Sequence, residues 1–413
     1  MRLSTSTDGR WRWLQLRQRS LISVGVVASM LFATLLMASN QANAKSSALV
    51  AFNAKVNRDL AAANAKQTPA RNGQPTTGPK GEKHKTVLII PPGSRAATQG
   101  GFRVAWAARD AALSLGWKVD FVTPTTSSPA AYEAAVQQGI SQHVNGIITV
   151  SIDASVIPTA LQQASKAGIK LVGGVGANTN SSVSGDTGVY EGFAPSYKSL
   201  VQGGYLLGEE AYKLSGGHLR AIDMVATGYG IITARLQGWK EFINACHAAG
   251  GDCKVLDTVD FTGSQITTDL PNLTEEAARS NPTFNVLWPG FDSGLPFMEP
   301  GLKAAGMLGG GRFAVGFDGN SQNVQEIRAG GFERATIGLS TVCLGYADID
   351  VMNRLFAGPS TDVLGNHGCQ NKLITKTDVP KTGQWWGDFD PRPLYWKLWG
   401  IGRPAHPTPL SQM

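Results

Sequence analysis

Gly146-Ile147-Ile148-Thr149-Val150-Ser151-Ile152-Asp153 opens the stretch that decides the fold. Its first five residues are almost continuously apolar, with no polar alternation, as a strand covered on both faces requires. A helix follows over Val156–Ala167, and a second apolar strand over Lys170–Gly174. Two strands separated by a helical crossover pair in parallel.

Outward from this unit the same texture continues. On the N-terminal side come the strand Thr86–Ile90, the loop Pro91–Gly101, the helix Phe102–Leu115, the strand Lys118–Val122 and the helix Ala130–His143. On the other side the alternation restarts. Helices are predicted at Ser196–Leu214, Ala234–Ala248, Leu270–Ser280, Pro296–Ala305 and Asn323–Ala329. Between them lie strands at Leu219–Ala226, Lys254–Asp260, Asn285–Leu287, Arg312–Phe317 and Ala335–Leu339. The pattern is that of an α/β protein with two consecutive parallel-sheet units. In open sheets of this kind ligands sit beyond the C-terminal strand ends, and two such sheets facing each other make a cleft.

The two ends differ from this texture. Arg2, Arg10, Arg12, Arg17 and Arg19 precede the largely apolar run Leu21–Met37, and Ala42-Asn43-Ala44 supplies small residues for cleavage. This reads as a secretory signal over 1–44, cut after Ala44. The apolar run is short for a membrane anchor, which needs about 20 residues. No Cys follows it to carry a lipid. Lys45–Lys83 reads as a tether, with a polar helix over Ser47–Gln67 and coil over Thr68–Lys83. At the other end, Gly383–Gly400 is dense in aromatics: Trp385, Trp386, Phe389, Tyr395, Trp396 and Trp399. These rings either meet a membrane surface or, as we prefer, pin the tail to a lobe.

Removing the signal takes away +4 of the formal net charge of +7, leaving +3 on the mature chain. No basic run carries interleaved aromatics, so nucleic-acid binding is not expected. The four cysteines, Cys246, Cys253, Cys343 and Cys369, fall in the mature part. In an oxidising compartment an even number points to disulfides. Three connectivities are open. The preferred one is Cys246–Cys253 with Cys343–Cys369, worth about 2–3 and about 3–4 kcal/mol by loop entropy. Metal binding is the rival, but no two cysteines stand in CxxC spacing.

With these elements in place, the chain resembles the type I periplasmic binding proteins, in the ribose- and galactose-binding branch used by ABC importers. The likeness covers roughly residues 85–379. Gly146–Asp153 is similar to the family's third strand and its Asp. Ala164-Ser165-Lys166-Ala167-Gly168-Ile169-Lys170-Leu171-Val172 resembles its helix-to-strand step. Ala234-Arg235-Leu236-Gln237-Gly238-Trp239 is similar to an R-x-x-G-F segment, and Val315-Gly316-Phe317-Asp318-Gly319 to the VGFDG strand end. The resemblance implies two doubly wound parallel-sheet lobes joined by a three-strand hinge, with the ligand cleft between them. Carried over, the crossings fall near Phe193–Ser196, Leu339–Thr341 and Leu373–Thr377. The first lobe is then 84–193 plus 340–373, and the second 194–339 plus 374–413.

The resemblance also implies where a ligand is held. Asp318, Arg235 and Asp153 match contact positions of the family. The bland alternatives are a turn bond to Gly319-Asn320 for Asp318 and a salt bridge at the helix start for Arg235. Asp292 follows the strand ending at Leu287, and Phe291 stands where the family has a hydrogen-bonding side chain. The first loop offers Ser94, Arg95, Thr98 and Gln99 in place of the usual Asn and Phe. Gly174-Val175-Gly176-Ala177 replaces Asp-Arg, which leaves Gly176 as a backbone contact, and Leu339 replaces a Gln. These departures remove polar side chains. The expected ligand is sugar-like or oxygenated, with fewer hydroxyls than ribose or galactose.

An enzyme is the first rival. Gly228-Tyr229-Gly230-Ile231-Ile232-Thr233 has the outline of a dinucleotide loop, but Thr233 stands at the third glycine. No other catalytic motif accompanies it, so no enzyme, cofactor or metal is expected. A DNA-binding regulator needs an N-terminal helical module, which 1–83 does not supply. The reading is thus a soluble periplasmic monomer that delivers a small molecule to ABC permease subunits. The alternative is a sensory protein that presents its ligand to a chemoreceptor or histidine kinase.

Overall fold

The computed structural model describes residues 47–69, 73–175, 190, 192–194, 197–358, 367–369 and 371–413. The signal segment 1–44 and Gly176 lie outside the described residues. Two sheets organise the chain. The first has five parallel strands in the order β2-β1-β3-β4-β5. They are β1 (Thr86–Ile90), β2 (Lys118–Phe121), β3 (Gly146–Val150), β4 (Lys170–Gly174) and β5 (Gly192–Ala194). The second has six strands in the order β11-β10-β9-β8-β6-β7. They are β6 (His218–Ala226), β7 (Asp252–Phe261), β8 (Val286–Trp288), β9 (Phe313–Asp318), β10 (Glu333–Gly338) and β11 (Lys372–Thr375). Only β11 runs antiparallel to its neighbour. Every residue of β3 and β9 is buried, which is why neither sequence alternates.

The helices are α1 (47–64), α2 (Gln99–Ser114), α3 (Pro129–Ser141), α4 (Pro158–Lys166), α5 (Tyr197–Leu214) and α6 (Gly230–Ala248). They continue with α7 (Leu270–Ser280), α8 (Leu295–Ala304), α9 (Ser321–Ala329), α10 (Thr341–Ala357) and α11 (Arg392–Leu398). Two glycines let α5 and α6 cross at backbone contact. A Cβ at Gly238 would strike the Val201 carbonyl, and one at Gly204 the Arg235 carbonyl. The glycine of the R-x-x-G segment is therefore a packing requirement. Gly345 does the same for α10, lying against Val104, Ala107 and Ala108 of α2.

The structure departs from the sequence reading in several places. Helix α10 is absent from that reading because residues 341–354 are all buried, leaving no polar face to set a period. Helix α6 begins four residues earlier than predicted, at Gly230. Lys372 and Leu373, expected to close the first lobe, pair with Gly338 and Ile337 in the second sheet.

The segment read as a tether is docked. Phe52, Val56 and Leu60 of α1 are buried, and the Phe52 ring lies 5.7 Å from Tyr212 and 5.8 Å from Phe242. Its alanine-rich sequence hides this stripe of three apolar residues. Further on, Arg354 donates to the Thr77 carbonyl at 2.8 Å and Asn353 accepts from the Glu82 amide at 2.8 Å. The disulfides are Cys246–Cys253, from the end of α6 to β7, and Cys343–Cys369, from the first turn of α10 to the approach to β11. No helix among the described residues is long and apolar enough to cross a membrane.

Candidate functional site

The C-terminal strand ends of the two sheets face each other across a cleft. Three of them carry backbone strain: Ser151 after β3, Val175 after β4 and Asp318 at the end of β9 have φ of 55°, 49° and 114°. Positive φ costs energy for non-glycine residues, and most for a β-branched one such as Val175. Such strain collects where a side chain must be aimed for function.

Arg235, in the second turn of α6, is the central cation. Its Nη2 donates to Asp318 Oδ1 at 2.6 Å and its Nη1 to the Gly290 carbonyl at 3.0 Å. The guanidinium lies over the Phe317 ring, 4.2 Å from its centroid. Arg235 Nε is buried without a partner among the described residues. A buried donor of this kind costs about 1–3 kcal/mol until it is paired.

Around this pair the cleft wall is mostly apolar. Tyr229, Ile231, Ile232, Ile266 and Phe291 come from the second lobe and Leu339 from the hinge. The first lobe adds Pro92, Thr98, Gly101 and Ser151, and Ser293 faces them. The lobes approach closely. Ser293 Oγ donates to the Ala97 carbonyl at 3.2 Å, and a Cβ at Gly100 would collide with the Asp318 carboxylate. At the mouth, a Cβ at Gly263 would strike the Tyr229 hydroxyl and Ser127. The space left is about 40 Å³, room for a few waters. A sugar-sized molecule does not fit in that space.

The structure sorts the residues singled out from sequence. Thr98, Arg235, Phe291 and Asp318 line the cleft together. Asp292 sits behind it, completely buried. Its Oδ2 accepts from the Gly319 and Asn320 amides at 2.8 and 3.0 Å, and its Oδ1 from Thr336 Oγ1 at 2.8 Å. The turn bond considered for Asp318 is thus made by Asp292, which leaves Asp318 to face Arg235. Burial, with the Asp318 charge adding, pushes Asp292 up to about 7. Ser94 and Arg95 are exposed, and Ser94 Oγ accepts from the Ala97 amide at 3.3 Å. Gln99 reaches Ser293 through its backbone amide. Asp153 is folded onto Ser155, accepting from its amide and hydroxyl at 3.0 and 2.9 Å.

Sequence reasoning missed Ser151, Ser293 and the trio Tyr229, Ile231 and Ile232. The trio was weighed only as part of a dinucleotide loop. Its place after the C-terminal end of β6 was the signal that it faces a cleft.

Two α/β lobes closing on a buried ion pair at their strand ends define the class as a two-lobed ligand-binding protein. The sequence matches the periplasmic binding protein domain over residues 96–360, and the chain belongs to that family. The family is one of binding proteins, not enzymes. The structure is similar to an ABC transporter solute-binding protein from Agrobacterium vitis bound to α-D-tagatopyranose. That pair has TM-score 0.61 and 18% identity, covering 72% of this chain and 96% of that one. A solute-binding protein from Burkholderia graminis in complex with D-arabinose gives TM-score 0.60 at 18% identity, covering 74% and 99%. The XylFII-LytSN complex gives TM-score 0.58 at 18% identity, covering 72% and 100%. No curated protein sequence matches the chain.

Proposed function

We propose that this protein is the solute-binding component of an ABC importer, working in the periplasm after removal of 1–44. Its ligand is a small, neutral, sugar-like or oxygenated molecule with fewer hydroxyls than ribose or galactose. The observation that carries this is the buried Arg235–Asp318 pair with Arg235 Nε unpaired, set in a wall of Tyr229, Ile231, Ile232, Phe291 and Leu339. The pair cancels its own charge, so it favours an uncharged ligand with one or two well-placed oxygens. The apolar groups favour methyl, methylene or deoxy positions elsewhere on it.

Binding proceeds by hinge rotation. The ligand meets one lobe, and closure brings Thr98 and Ser151 toward Arg235 and Asp318. The permease subunits then recognise the closed pair of lobe surfaces on a monomer. A thermal-shift panel of D-tagatose, D-arabinose, myo-inositol, D-ribose, D-galactose and their deoxy and O-methyl derivatives tests the reading. The derivatives are expected to raise Tm more than the parent sugars. Stabilisation by the simple pentoses and hexoses alone would overturn the preference.

A second reading is sensing, in which the closed protein is presented to a receptor. It is favoured by one observation, that a structural neighbour is the XylFII-LytSN complex, a binding-protein fold held by another protein. Affinity capture from membranes distinguishes the two by recovering permease subunits or a receptor.

A further inference from the structure

Arg103 of α2 is completely buried, and among the described residues no Asp or Glu side chain hydrogen-bonds it. Its Nη1 donates to Asn320 Oδ1 at 3.2 Å and to the Gly319 carbonyl at 3.4 Å. Its Nη2 donates to Thr341 Oγ1 at 3.2 Å and to the Trp385 carbonyl, and its Nε to the main-chain oxygen of Met413 at 3.2 Å. Helix α2 belongs to the first lobe. Gly319 and Asn320 form the second-lobe turn that directly follows Asp318.

The tail that supplies two of these acceptors spans both lobes. The Trp385 amide donates to the Gly319 carbonyl at 2.9 Å, and its side chain covers Gly319 and Gly338. Further along, Trp399 Nε1 donates to Asp350 Oδ1 at 2.8 Å and its ring stacks on Tyr346 at 5.8 Å. The Thr408 amide donates to Asp110 Oδ1 of α2 at 2.9 Å. Trp385 and Met413 lie beyond the residues that match the family, 96–360.

A buried guanidinium is costly to leave unpaired. Any rotation that parts the lobes draws Arg103 away from Gly319 and Asn320. We propose that Arg103, seated against the tail, is the closure-determining residue of this chain, holding the lobes together before a ligand arrives. The proposal rests on the hinge-closure reading above. It follows that Arg103 sets the closed fraction and so tunes apparent affinity without touching the ligand.

The test uses the full oxidised chain without added sugar. Nitroxide labels are placed, through a noncanonical amino acid, at the exposed Thr125 and Thr267, on opposite sides of the cleft mouth. Pulsed dipolar spectroscopy then reads the lobe separation. Wild type is expected to show mainly the short distance. Arg103→Met is expected to raise the ratio of long to short at least tenfold, with Arg103→Lys between the two. Should Arg103→Met fail to fold, the pair Asn320→Ala and Thr341→Val removes two acceptors and is expected to shift the distribution in the same direction. A wild type already mainly open, or variants indistinguishable from wild type, would overturn the proposal. Failure of the hinge-closure reading shows separately, as a distance that no sugar in the panel changes even in Arg103→Met.

Discussion

Arg235 Nη2 donates to Asp318 Oδ1 at 2.6 Å, with the two side chains only 1% and 7% exposed. Breaking a buried pair by removing one partner leaves an uncompensated charge, at a cost of about 3–5 kcal/mol. Asp318→Ala is therefore expected to lose stability in urea denaturation as well as ligand affinity. Asp318→Asn keeps the shape and is expected to lose less. An Asp318→Ala protein as stable as wild type would show that the pair is not formed.

The α5–α6 crossing gives a second prediction. A methyl at Gly238 meets the Val201 carbonyl, a backbone atom that cannot swing away. Gly238→Ala should destabilise by about 1–3 kcal/mol or more through overpacking, read as a lower urea midpoint at unchanged m-value.

Stability should also depend on pH through Asp292. Burial and the Asp318 carboxylate raise it to about 7. The folded chain then keeps a proton that the unfolded chain releases near pH ~4. The stabilisation is complete below about pH 4 and is lost as pH rises through about 7. Asp223, raised to about 7, and Glu209, raised to about 8, act in the same sense, both through burial. Melting temperature is expected to fall from about pH 5 to about pH 8, and Asp292→Asn to flatten part of that fall. A rise in melting temperature over the interval would contradict the assignment.

Phe52 tests the docked extension. It is buried between Tyr212 and Phe242, so Phe52→Ala should cost about 3–5 kcal/mol if α1 is part of the folded unit. A tether would lose nothing. Limited proteolysis of the variant should open cleavage within 47–64.

The disulfides are separable. By loop closure, Cys343→Ser with Cys369→Ser should lower stability by about 3–4 kcal/mol and Cys246→Ser with Cys253→Ser by about 2–3. Calorimetry of the two double variants gives the order, and the reverse order would point to relief of local strain.

Legibility followed burial and sequence distance. Strands β3, β4 and β9 were readable because burial on both faces writes itself as unbroken apolar runs. Helix α10 was not, for the same cause in a helix: with residues 341–354 all buried, no polar face marks the turns. In the site, Arg235 and Asp318 were legible as motif positions. The role of Asp292 was not, because its partners Gly319, Asn320 and Thr336 lie 27, 28 and 44 residues away. Arg103 carried no sequence signal, since its acceptors are mainly main-chain oxygens that no residue type announces.

By itself the sequence determined the class of fold and the two repeated units, and it supplied a preference among three cysteine pairings and the expectation of a secretory signal over 1–44. Each of these rests on local periodicity, spacing or composition. Tertiary structure decided which polar groups reach the cleft, that Asp292 supports it from behind, and that the extension and tail are seated on the lobes. Those outcomes depend on where distant backbone atoms come to rest, and hydrogen bonding to backbone leaves no mark on the side chains that supply it.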